Sequence, residues 1–177
     1  MSKPAEPSPV KLVASVISSR ERMISEALEI LTGRFGEMDY ISRRLEFSYT
    51  DYYEKEMGSG LNRRFASFRN LIDPERLPEI KLTTNAIEEG FGENGKRKVN
   101  IDPGYLSQFH LILATAKGYS HRPYLRKGVY ADLTLIYRDK AFRSLEWTYP
   151  DYAGEDMKAI LEKIRRRYIQ QLKLQKN

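Results

Sequence analysis

The chain has 177 residues and a net charge of +6, with 30 lysines and arginines against 24 aspartates and glutamates. Hydrophobic residues make up 41% and charged residues 31%, which is typical of one globular domain. The absence of cysteine excludes disulfides, thiolate zinc sites and a cysteine nucleophile, and it favours a cytoplasmic location. No stretch approaches the roughly 18–20 apolar residues of a membrane-spanning helix, so we expect none.

Residues 1–9 contain three prolines among polar side chains, and we expect a disordered tail there, followed by a single α+β domain over residues 10–177. Residues 10–17 (VKLVASVI) are apolar on both faces and rich in β-branched side chains, which predicts an interior strand. Ser18 and Glu21 have the S-x-x-E spacing of a capping box, and apolar residues at helical spacing follow them.

Apolar or alternating runs predict further strands over residues 38–53, 61–71, 96–101, 109–117, 128–138 and 141–147. Asp102-Pro103-Gly104 reads as a turn between two of them, and Asp139-Lys140 as a hairpin turn. A second helix is predicted after Pro78. The order of elements predicts a largely antiparallel sheet that is ferredoxin-like at its start, with an added hairpin and a C-terminal helix. We expect helices to cover one side of this sheet.

The last helix is predicted from about residue 155 to residue 173. Its apolar positions fall on one face and comprise Met157, Ile160, Leu161, Ile164, Tyr168 and Leu172. We expect this face to pack on the sheet and the arginines of the helix to remain in water. Trp147, Tyr149 and Tyr152 precede the helix and predict a core seam, with a base-stacking platform as the alternative.

Residues 90–96 match G-x-G-x-x-G, the pattern of some phosphate-binding loops. Such loops need a strand before the glycines and a helix N-terminus after them, whereas the order here is helix and then strand. We therefore interpret this segment as the end of a helix followed by a turn. The sequence also has no G-x-x-x-x-G-K-[ST], which excludes a P-loop.

Residues 115–127 form the most site-like segment, with four basic side chains, a histidine and two tyrosines between predicted strands. Lys117 and Arg122 are residue types that bind phosphate, and His121 can exchange a proton near neutral pH. The alternative is a solvated basic loop whose tyrosines pack on the sheet.

The predicted hairpin carries two carboxylates of interest, Asp132 on its first strand and Glu146 on its second. If Asp132 faces a cleft, its carboxylate can bind magnesium or transfer a proton. The alternative is a water-facing residue on the polar side of the sheet. Asp-Lys is not a preferred two-residue turn, so the sequence does not decide whether Glu146 shares a face with Asp132.

Three segments carry a resemblance to a known family: Ser120-His121-Arg122, residues 130–136 (YADLTLI) and residues 147–152 (WTYPDY). Together they resemble a family of bacterial proteins labelled only as a domain of unknown function, and the likeness extends from Pro9 to Leu172. Some relatives carry the automatic label "GTP-binding protein". The resemblance implies a single domain and supplies no reaction or catalytic residue.

Three functions remain open. The first is a binding protein for a phosphorylated or nucleotide-like anion, with Lys117, His121, Arg122 and Asp132 as ligand-binding residues. The second is a magnesium-dependent enzyme acting on a phosphorylated substrate and using Asp132, Glu146 and His121. The third is a module that interacts with RNA or protein. No cofactor other than magnesium is suggested.

Overall fold

The computed structural model describes residues 3–49 and 54–175. The strands are β1 Val10–Ser18, β2 Met38–Ile41, β3 Leu45–Glu46, β4 Asn62–Ile72, β5 Asn100–Leu106, β6 His110–Thr115, β7 Tyr124–Arg126, β8 Val129–Arg138 and β9 Ala141–Ser144. The helices are α1 Glu21–Phe35, α2 Glu54–Met57, α3 Leu77–Gly90, α4 Pro150–Ala153 and α5 Glu155–Gln175, with a 3₁₀ turn at Pro74–Arg76 before α3.

The strands form one antiparallel sheet in the order β2-β4-β1-β5-β6-β8-β7, with β3 paired to β4 and β9 paired to β8. The four neighbouring strands β2, β4, β1 and β5, with α1 and α3 as the connecting helices, have the strand order and directions of a ferredoxin-like fold. The predicted α+β class, ferredoxin-like start, added hairpin and C-terminal helix are confirmed. The strand predicted over residues 38–53 consists of β2 and β3, and residues 50–53 lie outside the described residues.

β1 is the interior strand that its sequence predicts. It pairs with β4 on one side and β5 on the other, and all nine of its residues are buried. One of them is Lys11, whose Nζ donates to the Phe68 carbonyl at 2.9 Å and to the side chains of Asp39 and Gln171. Burial lowers the pKa of Lys11, although Asp39 opposes this shift. These contacts satisfy the three protons of an ammonium group that would otherwise be costly to bury.

Both faces of β1 are covered. Leu12, Ala14 and Val16 pack with α1 and α3, whereas Val13 packs with the apolar face of α5 on the opposite side. The expectation that helices cover one side is therefore wrong. Alternate residues of a strand point to opposite faces, so a strand that is apolar throughout needs cover on both.

The capping role predicted for Ser18 is also wrong. β1 continues through Ser18, α1 begins at Glu21, and no side chain caps the helix at Arg20. The Ser18 hydroxyl instead donates to the Lys98 carbonyl at 2.7 Å, and Glu21 pairs with Arg64 at 2.7 Å. The Ser18 oxygen accepts locally from the amide of Arg20, the residue before α1, at 3.2 Å. The Ser18 proton and the Glu21 carboxylate, however, bond to distant partners.

α5 docks through the predicted apolar face, since all six of those side chains are buried. The expectation that its arginines remain in water holds for Arg166 and Arg167, which are exposed, but not for Arg165, which is half-buried. The guanidinium of Arg165 lies 3.4 Å from the centre of the Tyr137 ring and donates to the Gln108 carbonyl, and Arg167 donates to the Asp39 carbonyl. Arginine stems and planar heads pack readily on aromatic rings at the edge of a core.

The turn predicted at Asp102-Pro103-Gly104 is wrong, because these residues lie inside β5. Pro103 pairs with Ala14 of β1, and Gly104 pairs with Leu113 of β6. The true turn follows β5, where the Ser107 amide donates to the His110 carbonyl at 2.9 Å. Backbone donors alternate between the two sides of a strand, so the nitrogen of Pro103, like that of Ser107, faces β6. Proline has no N–H to donate there.

The ladder between β5 and β6 consequently ends at Gly104. Among the described residues, residues 100–103 of β5 pair with β1 but not with β6. Ala114 and Thr115 of β6 likewise pair with β8 but not with β5. The two strands diverge and leave a gap in the sheet. At the last paired position the backbones are very close, since a Cβ on Gly104 would lie 2.3 Å from the Ile112 carbonyl oxygen.

The added hairpin turns at Asp139 and Lys140, which both have positive φ, at 52° and 60°. This is the backbone of a type I′ turn, which suits the twist of a hairpin even with residues that rarely form it. β9 ends at Ser144, earlier than predicted, and Glu146 lies beyond it as an exposed side chain. Among the helices of residues 3–49 and 54–175, none is long and apolar enough to cross a membrane.

We predict that Ile164→Ala lowers the free energy of unfolding by about 2–5 kcal/mol, because it leaves a cavity under a fully buried side chain. Arg166→Ala on the same helix is the control and should change stability by no more than about 0.5 kcal/mol. Urea unfolding followed by circular dichroism measures both. Equal losses from the two changes would show that the buried face is misassigned.

A second prediction concerns the close approach at Gly104. Gly104→Ala should destabilise by about 1–3 kcal/mol or more, because its methyl group cannot fit against the Ile112 carbonyl. Gly33→Ala in α1 meets nothing within 4 Å and should instead stabilise by about 0.5–1 kcal/mol. Thermal unfolding should show a lower melting temperature for Gly104→Ala and a higher one for Gly33→Ala. An unchanged melting temperature for Gly104→Ala would contradict the close approach of the two backbones.

Candidate functional site

A cleft of about 870 Å³ lies at the gap between β5 and β6. Asp102 on β5 and Thr115 on β6 line it from either side of the gap, and α3, α4 and β8 supply further walls. The described residues that line it include six cationic and six carboxylate side chains. The cleft therefore has no large net charge, and what it can bind depends on where each charge is held.

Arg122 is a cation of the cleft that three hydrogen bonds hold in place. Its Nε donates to Asp132 Oδ2 at 2.7 Å, one terminal nitrogen donates to the Lys117 carbonyl at 3.2 Å, and the other donates to the Tyr149 hydroxyl at 3.1 Å. Burial acts to lower the pKa of Arg122, but the hydrogen bonds to Asp132 and Tyr149 outweigh it and raise the pKa. Arg122 thus stays charged and fixed in one orientation in the wall of the cleft.

Asp132 holds Arg122 from a buried position on β8. Its other carboxylate oxygen, Oδ1, accepts from the Thr134 hydroxyl at 3.2 Å. His121 lies behind the pair, with Nε2 3.5 Å from Asp132 Oδ2. The histidine ring stacks on Trp147, with centroids 5.0 Å apart and planes 12° apart. Trp147 in turn donates from its indole nitrogen to the Leu133 carbonyl at 2.8 Å, which ties the stack to β8.

The floor of the cleft contains a second buried arginine. Arg63 on β4 is 3% exposed, donates to Asp151 of α4, and lies against the Phe47 ring at 4.6 Å and the Tyr152 ring at 5.1 Å. Burial acts to lower the pKa of Arg63, but charge interactions with Tyr152 and Asp151 outweigh it and raise the pKa. The Nε of Arg63 has no hydrogen-bond partner among the described residues.

Tyr152 lines this floor, and its hydroxyl lies beside that of Ser15, which is buried behind it in β1. Neither meets the geometry of a hydrogen bond with any described residue. Buried polar atoms of a folded protein are almost always paired, and exceptions concentrate at functional sites. Arg63 Nε and the Tyr152 hydroxyl are therefore polar atoms of floor residues without a hydrogen-bond partner among the described residues.

The end of the cleft nearest α3 is a closed network of opposite charges. Lys81 donates to the Ile101 carbonyl at 3.2 Å and lies 3.7 Å from Asp102, and Glu88 accepts from the Ile101 amide at 2.6 Å. Burial raises the pKa of Glu88. Arg97 lies 3.6 Å from Glu88 and also pairs with Glu56. These mutual pairings leave the α3 end without a dominant charge.

The glycine-rich segment also reaches the cleft, through Gly92 and Gly95. Four of its amides are already used, because Phe91 and Gly92 donate to the last carbonyls of α3, and Glu93 and Lys96 each donate to the carbonyl of the other. The interpretation of this segment as a helix end followed by a turn is confirmed. It offers no row of free amides to a phosphate.

A model of one protein family matches residues 8–168, which include all the strands of the sheet and every wall of the cleft. The chain belongs to the family described as Domain of unknown function (DUF4416). The resemblance of the sequence to such a family is thereby confirmed. Searches of curated proteins and of solved structures found no match to the chain.

The predicted site residues of this DUF4416 domain are close together in the structure. Arg122 and Asp132 form an ion pair, Lys117 accepts from Arg122 through its carbonyl, and all three line the cleft. His121 adjoins Asp132 but is not among the lining residues. Glu146, the second carboxylate considered for magnesium, does not line the cleft either.

Sequence reasoning missed the charged residues of the floor and of the α3 end. Arg63 lies in an otherwise ordinary strand pattern, and only its pairing with a distant carboxylate explains its burial. Asp151 is part of the WTYPDY segment, so the resemblance pointed to it without giving it a role. Lys81 lies in the middle of α3, where the sequence pattern does not distinguish it from an ordinary surface lysine, and it reaches the cleft only because β5 and β6 diverge.

No group of three or more histidine, aspartate or glutamate side chains within residues 3–49 and 54–175 is arranged to hold a metal ion. Asp132 and Asp151, two carboxylates that line the cleft, are instead each paired with an arginine. A magnesium ion would have to compete with these arginines for its ligands.

We predict that Asp151→Ala in this DUF4416 domain costs about 3–5 kcal/mol of stability, because it leaves the Arg63 guanidinium buried without its counterion. Asp156→Ala, which breaks an exposed pair with Arg43, is the control and should cost no more than about 1 kcal/mol. Denaturant unfolding gives both values. Adding Arg63→Met to Asp151→Ala should recover part of the loss, and a further drop in stability would contradict the assignment.

Proposed function

We propose that the cleft binds a small phosphorylated anion, with Arg122 and Lys117 as its cationic contacts and Asp132 as the residue that fixes Arg122. One observation carries the proposal. A guanidinium has five N–H groups, and Arg122 uses three of them to hold itself in the wall of the cleft. The other two have no partner among the described residues.

A fixed arginine is better suited to bind a phosphate than a mobile one. The conformational entropy of the arginine side chain is already lost when the protein folds, so binding does not have to offset that loss and the affinity is higher. Two N–H groups on one planar head can bond two phosphate oxygens at once, which a lysine cannot do. Lys117 lies two residues after the end of β6, lines the cleft beside Arg122 and adds a second positive charge there.

His121 and Asp132 act in this proposal through Arg122. Asp132 orients the guanidinium by its bond to Nε, and His121, stacked on Trp147, packs beside the Asp132 carboxylate at 3.5 Å without a hydrogen bond to it. His121 is thus proposed as a positioning residue and not as a ligand contact. The α3 end, where charges of both signs are paired, is suited to the neutral polar part of the same ligand.

The magnesium-dependent enzyme is the second candidate. Asp102, Asp132 and Asp151 all line the cleft, so a metal-bound phosphate could find carboxylates there. A magnesium requirement for binding, or turnover of a phosphate ester, would favour it. The RNA-binding hypothesis has less support, because Arg165 and Arg167 of α5 are engaged within the protein.

The test is calorimetric titration with inorganic phosphate, sugar phosphates and nucleoside phosphates, with and without magnesium chloride. We expect at least one phosphate ester to bind. Arg122→Ala should weaken that binding by about 10- to 150-fold, since a charge-assisted hydrogen bond contributes about 1.5–3 kcal/mol. Lys117→Ala should weaken it less, because a lysine interacts as a point charge.

Arg166→Ala, a surface change on α5, is the matched control and should leave the affinity unchanged. Circular dichroism must show that Arg122→Ala is folded, and Arg122→Lys provides a second variant that keeps the charge but loses the planar head. The proposal fails if no phosphate ester binds the wild type below about millimolar concentration, or if the Arg122 variants bind as well as the wild type.

A further inference from the structure

Tyr149 is an exposed aromatic residue in the wall of the cleft, 54% exposed although the sequence predicts it in a core seam. That prediction holds for Tyr152, which is buried, but not for Tyr149 or for Trp147, which is 38% exposed. From this position we infer that the ligand carries a planar ring beside its phosphate and that the ring stacks on Tyr149. The inference rests on the proposed function and extends it by naming the class of ligand.

The Tyr149 side chain is exposed and yet fixed at both ends. Its carbonyl accepts from the amides of Tyr152 and Ala153 at 2.9 and 3.0 Å, which anchors the backbone in the first turn of α4. Its hydroxyl accepts from Arg122 at 3.1 Å. An exposed side chain without such restraints would sample several rotamers, whereas this ring is held in one place before any ligand arrives.

No other aromatic ring of the described residues stacks on Tyr149, so a ring face lies open beside the cleft. An open, fixed ring is what a planar ligand needs, because stacking buries apolar area without requiring specific hydrogen bonds. Tyr49, which is 55% exposed, lines the same cleft and adds a second aromatic surface. It lies edge-on to Phe47 at 5.8 Å, which supports its position.

The phosphate and ring positions are neighbours, because one hydrogen bond joins the Arg122 head to the Tyr149 hydroxyl. A ligand that uses both must carry its phosphate and its ring on a short connection. Nucleoside monophosphates and aryl phosphates have this arrangement, whereas sugar phosphates and polyphosphates lack the ring. Stacking on tyrosine tolerates every base, so we expect binding of several nucleotides with modest differences among them.

The experiment compares adenosine monophosphate with ribose 5-phosphate, two ligands that share the phosphate and sugar and differ in the ring. The wild type should bind adenosine monophosphate about 5- to 150-fold more tightly, the ratio expected from about 1–3 kcal/mol of stacking. Tyr149→Ala should bring this ratio close to one. Tyr149→Phe keeps the ring and loses only the hydroxyl, so it should preserve most of the ratio while weakening both ligands.

Tyr124→Ala is the matched control, because Tyr124 is similarly exposed at 59% and does not line the cleft. It should leave both affinities and their ratio unchanged. Equal affinity of the two ligands for the wild type, or an unchanged ratio in Tyr149→Ala, would overturn the ring inference while leaving phosphate binding intact. If neither ligand binds the wild type, the inference is overturned together with the proposed function.

Discussion

The cleft exists because a hydrogen bond between β5 and β6 is missing. Pro103 cannot donate toward β6, and Gly104 is the last residue of β5 at which the two strands pair. A regular ladder would have closed the sheet between α3 and α4. Because the strands diverge, Lys81 and Glu88 of α3 reach the same cleft as Tyr152 of α4. The cleft is thus built into the fold.

The charged groups of the cleft are arranged in pairs, and each pair joins elements that are distant in sequence. Arg63 and Asp151 connect β4 to α4, and Arg122 and Asp132 connect the segment before β7 to β8. Such pairs contribute little net stability, because desolvation of the two charges offsets much of their attraction. What they provide is orientation, and an oriented guanidinium with unused N–H groups is a feature of binding sites more than of cores.

Local patterns in the sequence predict the elements whose apolar periodicity is strong. β1 and α5 are examples, since burial of an apolar face determines both their type and their orientation. Prediction fails where a distant partner decides the outcome. The sequence around Pro103 is typical of a turn, and only its pairing with β1 makes it part of a strand. Ser18 and Glu21 have the spacing of a capping box, but the Ser18 hydroxyl donates to the Lys98 carbonyl instead. The residues of the basic loop were found because their charges are clustered in sequence, whereas those of the cleft floor meet only after folding.

The contacts between β1 and α5 also bear on how the chain reaches this state. Lys11 bonds to Gln171, and the Tyr168 hydroxyl donates to the Pro9 carbonyl at 2.8 Å, so the first strand is completed by residues about 160 positions later. During synthesis, a ribosome that still holds α5 in its exit tunnel leaves one apolar face of the sheet uncovered. The domain must therefore finish folding after α5 has left the ribosome. Until then, the nascent chain exposes the apolar face of the sheet that α5 will cover, and this is the form that chaperones would encounter.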